Sequence, residues 1–126
     1  MLQHAIPVLR VTNSTAAEDF YCSGLGFQRT FCWPPTEQSE PRYFGVNRDG
    51  VELHISSFPG DGTPGTTVFV LVDDVDLLHR ELLSNGVHID TAPIDQTWGT
   101  REMFVKDADR NCIRFASRSA VRANVD

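Results

Sequence analysis

The chain has 126 residues, 40% of them hydrophobic, so it is long enough to bury a core and too short for two independent domains. Its net charge is −6 and it has no basic run, which argues against a nucleic-acid-binding protein. Three widely spaced cysteines give no disulfide framework, and no apolar run approaches the roughly 20 residues that span a bilayer. We therefore expect a cytoplasmic protein that binds neither nucleic acid nor membrane.

The first half of the chain predicts a strand, a helix and three further strands. The predicted strands cover residues 5–11, 27–32, 43–47 and 51–56. The residues Asn13, Ser14 and Thr15 offer N-caps for a helix over 16–22, which ends before Gly26. The helix face that we expect to be buried contains Ala16, Ala17, Phe20 and Gly24.

The second half repeats this order about 60 residues later. The predicted strands cover residues 67–72, 87–91, 101–106 and 112–117, and the predicted helix covers 75–84. The same offset places Gly26 on Gly86 and Asp49 on Asp109, as an internal duplication does. The pattern predicts an α+β fold made of two βαβββ modules.

We place the modules at about 1–60 and 66–118, followed by a short tail at 119–126. Each module alone is too small to bury its sheet. We therefore expect one domain, residues 1–126, in which curved sheets from both modules form a ligand site.

Two motifs accompany the duplication, Gly24-Leu25-Gly26-Phe27 and residues 105–111, VKDADRN. Together these features resemble the vicinal-oxygen-chelate superfamily of glyoxalases, ring-cleaving dioxygenases and antibiotic-resistance proteins. In its metal enzymes, histidine and glutamate side chains at four strand positions hold a divalent ion. The matching positions here are Ile6, His54, Thr67 and Arg114. Only His54 can ligate a metal, so we expect no metal site and no catalytic residues.

One possible function is that of a metal-dependent lyase or dioxygenase, as an alternative to the binding function described below. It would use His54 with either His4 or Glu102, since a shifted register of the first strand brings His4 towards His54. We expect Glu52 to face away from His54. A third alternative is a binding protein for another flat small molecule.

Three segments resemble the bleomycin resistance proteins of this superfamily: residues 5–9, 20–27 and 98–115, with Trp98 as the most specific element. The resemblance implies a homodimer that exchanges N-terminal strands about Pro7. It implies binding of bleomycin-type glycopeptide antibiotics, without chemical change, in grooves at the dimer interface. It implies no cofactor, although the bound drug can itself carry copper or another metal.

The resemblance also implies which side chains bind the drug. The aromatic positions that match the family's drug clamp are Tyr43, Phe69 and Trp98, and the predicted binding residues are Tyr43, Phe69, Trp98, Gly99, His54, Ser56, Phe31 and Trp33. Three departures from the family are a longer segment at 32–42, a left-handed backbone expected at Arg110 or Asn111, and the charge of Arg114. That charge either disfavours a cationic drug or attracts an anionic ligand.

Overall fold

The computed structural model describes residues 1–35 and 40–118, and within them the chain forms two four-stranded sheets. The elements in chain order are β1 (Val8–Arg10), α1 (Ser14–Glu18), β2 (Gln28–Trp33), β3 (Tyr43–Arg48), β4 (Val51–Ser56), β5 (Thr67–Leu71), α2 (Val75–Ser84), β6 (Thr91–Asp95), β7 (Thr100–Lys106) and β8 (Cys112–Arg118). The predicted α+β fold of two βαβββ modules is confirmed. Part of the segment 32–42 and the whole tail 119–126 lie outside the described residues.

The first compact unit comprises Met1–Thr66 together with Asp107–Asn111. Its sheet has the order β1-β4-β3-β2, in which β1 is parallel to β4 and the other neighbours are antiparallel. The helix α1 begins after Asn13, whose side chain accepts a hydrogen bond from the backbone N–H of Ala16. A wider π-helical turn, Asp19–Gly24, continues it.

Alternation along the strands divides this sheet into a core face and a second face. The fully buried residues of the core face include Leu9, Phe44, Val46, Leu53 and Ile55. From the helical segment, Ala17, Tyr21 and Gly24 are buried, whereas Ala16 is exposed and Phe20 only half-buried. The predicted helix face was therefore partly wrong, because the chain turns Tyr21 rather than Phe20 into the core.

The turn Asp107–Asn111 contributes to the same unit. The buried carboxylate of Asp107 accepts hydrogen bonds from the hydroxyl of Tyr21 at 2.8 Å and from the backbone N–H groups of Asp109 and Asn111 at 2.9 Å. Arg110 has φ 65°, so it is the residue that adopts the left-handed conformation expected at Arg110 or Asn111.

The second compact unit comprises Thr67–Lys106 and, within the described residues, Cys112–Arg118. Its sheet order, β5-β8-β7-β6, repeats that of the first sheet. The helix α2 begins after Asp74, whose carboxylate accepts hydrogen bonds from two backbone N–H groups of the first turn. The buried residues of this unit include Val75 and Leu82 of α2 and Met103, Val105 and Ile113 of the sheet.

Two strand predictions need correction. The strand predicted at 87–91 lies instead at Thr91–Asp95, because the backbone N–H of Val87 donates to the carbonyl of Leu82 and closes the end of α2. Pairing with β7 begins near Asp90, whose N–H donates to the carbonyl of Phe104. The first strand is also shorter than predicted, Val8–Arg10 rather than 5–11.

In the described part of the chain, no helix has both the length and the hydropathy of a bilayer-crossing segment.

Candidate functional site

Three of the predicted binding residues meet on the second face of the first sheet. The ring centroids of Phe31 and His54 lie 5.1 Å apart, those of Tyr43 and His54 lie 5.3 Å apart, and those of Phe31 and Tyr43 lie 6.1 Å apart. Gly45 makes this packing possible, because a Cβ on this residue would lie 2.3 Å from Cε1 of Phe31. The ring of Phe31 therefore fills the space that a side chain at Gly45 would occupy.

A chain of hydrogen bonds joins Glu52, His54 and Tyr43. Nε2 of His54 lies 3.1 Å from a carboxylate oxygen of Glu52, and Nδ1 lies 2.7 Å from the hydroxyl of Tyr43. In the neutral imidazole, Nε2 then donates to Glu52 and Nδ1 accepts from Tyr43. The expectation that Glu52 faces away from His54 was wrong, because residues two apart in a strand share a face.

The phenol of Tyr43 remains protonated near neutral pH. Burial raises its pKa, and the negative charges of Asp61 and Glu52 raise it further. When the Tyr43 hydroxyl donates to the neutral imidazole of His54, it can offer a ligand only its oxygen lone pairs.

Trp33 and Ser56 lie on the same face of this sheet. Trp33 is paired across the strands with Tyr43, and 61% of its surface is exposed. Ser56 is fully buried, and its hydroxyl donates to Asp61 at 2.6 Å and accepts from the backbone N–H of Phe58. Trp33 thus offers an exposed ring, while Ser56 holds the loop that follows β4.

A second cluster lies on the corresponding face of the second sheet, around Arg114. The register places Arg114 between Phe69 of β5 and Phe104 of β7. The Cζ atom of Arg114 lies 5.4 Å from the ring centroid of Phe69 and 5.0 Å from that of Phe104, within the range of cation–π attraction. Because Phe69 is 48% exposed, the cluster includes an open aromatic face.

The carboxylate of Glu102 fixes this cluster. One oxygen accepts from Nε and Nη2 of Arg114, and the other accepts from Nε1 of Trp98 at 2.9 Å and from the hydroxyl of Thr100. Burial alone would raise the pKa of Glu102, but hydrogen bonds from Thr100, Arg114 and Trp98 outweigh it and hold the pKa below its usual range. Glu102 is therefore a buried anion with donors on both oxygens.

Trp98 and Gly99 belong to the turn between β6 and β7. Gly99 has φ 98°, a conformation that side chains disfavour, and its N–H donates to the carbonyl of Gln96. The indole N–H of Trp98 is bound to Glu102, while 53% of the residue remains exposed. The turn thus presents an anchored indole face.

Equivalent positions of the two modules carry these two clusters. His54 pairs with Gly45 on the neighbouring strand, and Arg114 pairs with Phe104 in the same way. The hydrogen-bonding partners of His54 and Arg114 also occupy equivalent positions. Tyr43 lies opposite Ser56, two residues after His54, and Glu102 lies opposite Ala116, two residues after Arg114. The duplicated scaffold therefore holds a hydrogen-bonded Tyr–His pair in one sheet and a Glu–Arg ion pair in the other.

The side chains at the superfamily's metal positions do not fit a divalent ion. Both ring nitrogens of His54 have partners within the first sheet, and the cationic guanidinium of Arg114 cannot ligate a metal. Nε2 of His4 lies 3.9 Å from a carboxylate oxygen of Glu52, and Glu102 is bound to Arg114. Across residues 1–35 and 40–118, no three His, Cys, Asp or Glu side chains are grouped to hold a metal ion.

The chain belongs to the glyoxalase superfamily, whose family model matches residues 1–121. This confirms the resemblance found in the sequence. No curated protein sequence matches the chain.

Several solved structures share the fold. TnmS3, an antibiotic-binding protein from Streptomyces sp. CB03234, has 24% sequence identity and a TM-score of 0.70, covering 94% of this chain and 99% of its own. The bleomycin resistance determinant encoded on transposon Tn5 has 21% identity and a TM-score of 0.74, covering 93% and 98%. A bleomycin-binding protein complexed with bleomycin has 21% identity and a TM-score of 0.73, covering 94% and 100%.

Phe104 and the hydrogen-bonding roles of Glu52 and Glu102 were not predicted from the sequence. A signal was present for Glu102 and Phe104, since Thr100, Glu102 and Phe104 alternate along β7 and so share one face. Their significance depends on which residue of β8 lies opposite each of them. Strand register supplies that information and local patterns do not.

Proposed function

We propose that the protein binds a bleomycin-type antibiotic without changing it chemically, so that the drug is sequestered. The observation that carries this proposal is the set of exposed aromatic rings on the two sheets and on the turn between β6 and β7. These rings belong to Phe31, Trp33, Phe69 and Trp98, each between 41% and 61% exposed. Large exposed rings of this kind are typical of surfaces that stack on flat ligands.

The neighbouring polar groups support binding rather than catalysis. Tyr43 is hydrogen-bonded to His54 and Glu102 to Arg114, which orients the rings beside them. Each stacking contact contributes about 0.5–1.5 kcal/mol beyond the burial of area. The net charge of −6 favours a ligand with a cationic tail, an attraction that salt weakens.

The proposal includes a homodimer that exchanges its N-terminal segments. The apolar residues Met1 and Leu2 are fully exposed, and β1 is a three-residue edge strand preceded by Pro7. An apolar arm of this kind is suited to packing on a second chain. Light scattering coupled to size exclusion should give twice 14.1 kDa, and removal of residues 1–6 should give monomers. A monomeric full-length protein would refute this part.

Calorimetric titration with metal-free and copper-loaded bleomycin tests the binding function. We expect binding that weakens as salt rises, and replacement of Trp98 with alanine should lower the affinity at least fivefold, which corresponds to about 1 kcal/mol. Leu83 on α2 is a matched control, because it is also 53% exposed and its replacement with alanine should leave the affinity unchanged.

Each outcome of the titration decides a different point. Absence of binding by the wild-type protein refutes the antibiotic proposal. Binding that is equally strong in the Trp98→Ala and Leu83→Ala variants shows that the indole is not part of the site. Metal analysis of the purified protein, carried out before the titration, tests the metal-dependent alternative.

A further inference from the structure

We propose that the Arg114 cluster selects flat aromatic ligands that carry an oxyanion at the edge of the ring, such as an aromatic carboxylate or sulfonate. This inference rests on the proposed binding function and names the ligand chemistry of the second sheet. It differs from the attraction of a cationic tail by the whole protein, because it depends on one guanidinium and the ring beside it.

The hydrogen bonds of Arg114 leave one end of its guanidinium available. Nε and Nη2 both donate to the same oxygen of Glu102. Among the described residues, Nη1 has no acceptor within hydrogen-bonding distance, although the side chain is only 30% exposed. The two N–H groups of Nη1 are therefore donors that the fold holds in position without using them.

Glu102 holds this donor in place instead of competing for it. Its carboxylate is fully buried, and its second oxygen is occupied by Trp98 and Thr100. The guanidinium is thus fixed on one edge by the ion pair and flanked by Phe69 and Phe104. A donor whose orientation is already fixed loses little conformational entropy when a ligand binds.

The neighbouring ring determines the rest of the ligand. Phe69 is half-exposed and its ring centroid lies 5.4 Å from Cζ of Arg114, so a flat ligand in contact with Phe69 lies close to the guanidinium. An oxyanion there would form a charge-assisted hydrogen bond, which is about twice as strong as a neutral one. At the equivalent position of the first sheet, both nitrogens of His54 are engaged, so we assign the preference to the second sheet.

Two fluorescent probes with the same ring system test the inference. One is 1-anilinonaphthalene-8-sulfonate and the other is N-phenyl-1-naphthylamine, which lacks the sulfonate. Each is titrated into the wild-type protein and into a double variant, Arg114→Met with Glu102→Gln. Because this variant loses one positive and one negative charge, its net charge stays at −6 and long-range attraction is unchanged.

We expect the affinity for 1-anilinonaphthalene-8-sulfonate, divided by the affinity for N-phenyl-1-naphthylamine, to fall about tenfold in the double variant. Loss of a charge-assisted hydrogen bond would give a change of this size. The matched control is Arg101→Met with Asp76→Asn. It removes another hydrogen-bonded ion pair of the same unit, from the opposite face of β7, and should leave the ratio unchanged. Should the first variant not fold, Arg114→Gln with Glu102→Gln keeps a hydrogen-bonding pair and tests the same point.

The outcomes separate this inference from the function on which it rests. A ratio that does not change while both probes bind overturns the role of Arg114 and leaves the flat-ligand site standing. An equal loss of both probes also overturns it, because selectivity for the oxyanion is what it claims. If the wild-type protein binds neither probe, both the inference and the flat-ligand site are refuted.

Discussion

Replacing Asn111 with alanine should strongly destabilise the first unit, because this side chain uses its full hydrogen-bonding capacity. Its Oδ1 accepts from the backbone N–H groups of Gly65 and Thr66, both at 3.0 Å. Its Nδ2 donates to the carbonyl of Arg10 and to the carboxylate of Asp107, both at 2.9 Å. One buried amide thus joins β1, the segment before β5 and its own turn.

The magnitude follows from these four bonds. Each contributes about 0.5–1.5 kcal/mol net, and a buried partner left unsatisfied costs more. Three of the four bonds are only partly buried, so water can replace part of what is lost. We therefore expect Asn111→Ala to lower the free energy of unfolding by about 3 kcal/mol.

Urea denaturation followed by tryptophan fluorescence measures this loss. Asn47→Ala is the matched control, because Asn47 makes one side-chain hydrogen bond, to the exposed N–H of Gly50 at 3.2 Å, and should cost under about 1 kcal/mol. A loss below about 1 kcal/mol for Asn111→Ala as well would refute the argument, since it would mean that solvent satisfies all four partners.

Two further predictions concern the candidate site. Gly45→Ala should displace the ring of Phe31, because the added Cβ would lie 2.3 Å from Cε1 of that ring. The affinity for the antibiotic should then fall about threefold or more, whereas the free energy of unfolding should fall by only about 1–2 kcal/mol. Unchanged affinity in the titration would exclude Phe31 from the site. The pKa of Glu102 lies below its ordinary value in the folded protein, so its contribution to stability is present above about pH 4.3 and is lost as the pH falls through the folded value. The free energy of unfolding should therefore depend less on pH in this acid range in Glu102→Gln than in the wild-type protein, and equal slopes in acid denaturation would contradict the assigned hydrogen bonds.

Most of the fold could be predicted from the sequence, because duplication doubles every local signal. The glycines at 26 and 86 and the turns at Asp49 and Asp109 recur at a fixed spacing, so each module supports the interpretation of the other. The errors fall where local patterns compete. The segment 87–91 alternates like a strand, but Val87 is used to close α2.

The composition of the clusters could be predicted only in part. Tyr43, Phe69 and Trp98 were expected to bind the ligand through their rings; Phe69 and Trp98 are exposed and Tyr43 is half-buried, and their part in binding stays a prediction. The packing of Phe31 over Gly45 depends on the pairing of β2 with β3, which brings together two residues that are 14 positions apart in the sequence. Such pairings are set by register, which a single sequence does not contain.

The two modules carry different chemistry at equivalent positions, and this difference bears on the ligand. At positions where the superfamily's metal enzymes have ligands for a cation, this chain has His54 in one sheet and Arg114 in the other. A guanidinium remains charged at any physiological pH and, unlike a metal ion, needs no group of protein ligands to hold it. Arg114 therefore provides by itself a fixed positive charge beside Glu102. A metal ion at such a position would attract an oxyanion, and Nη1 of Arg114, which has no acceptor among the described residues, can do the same without Lewis-acid chemistry. This exchange therefore supports the proposed binding of an anionic ring.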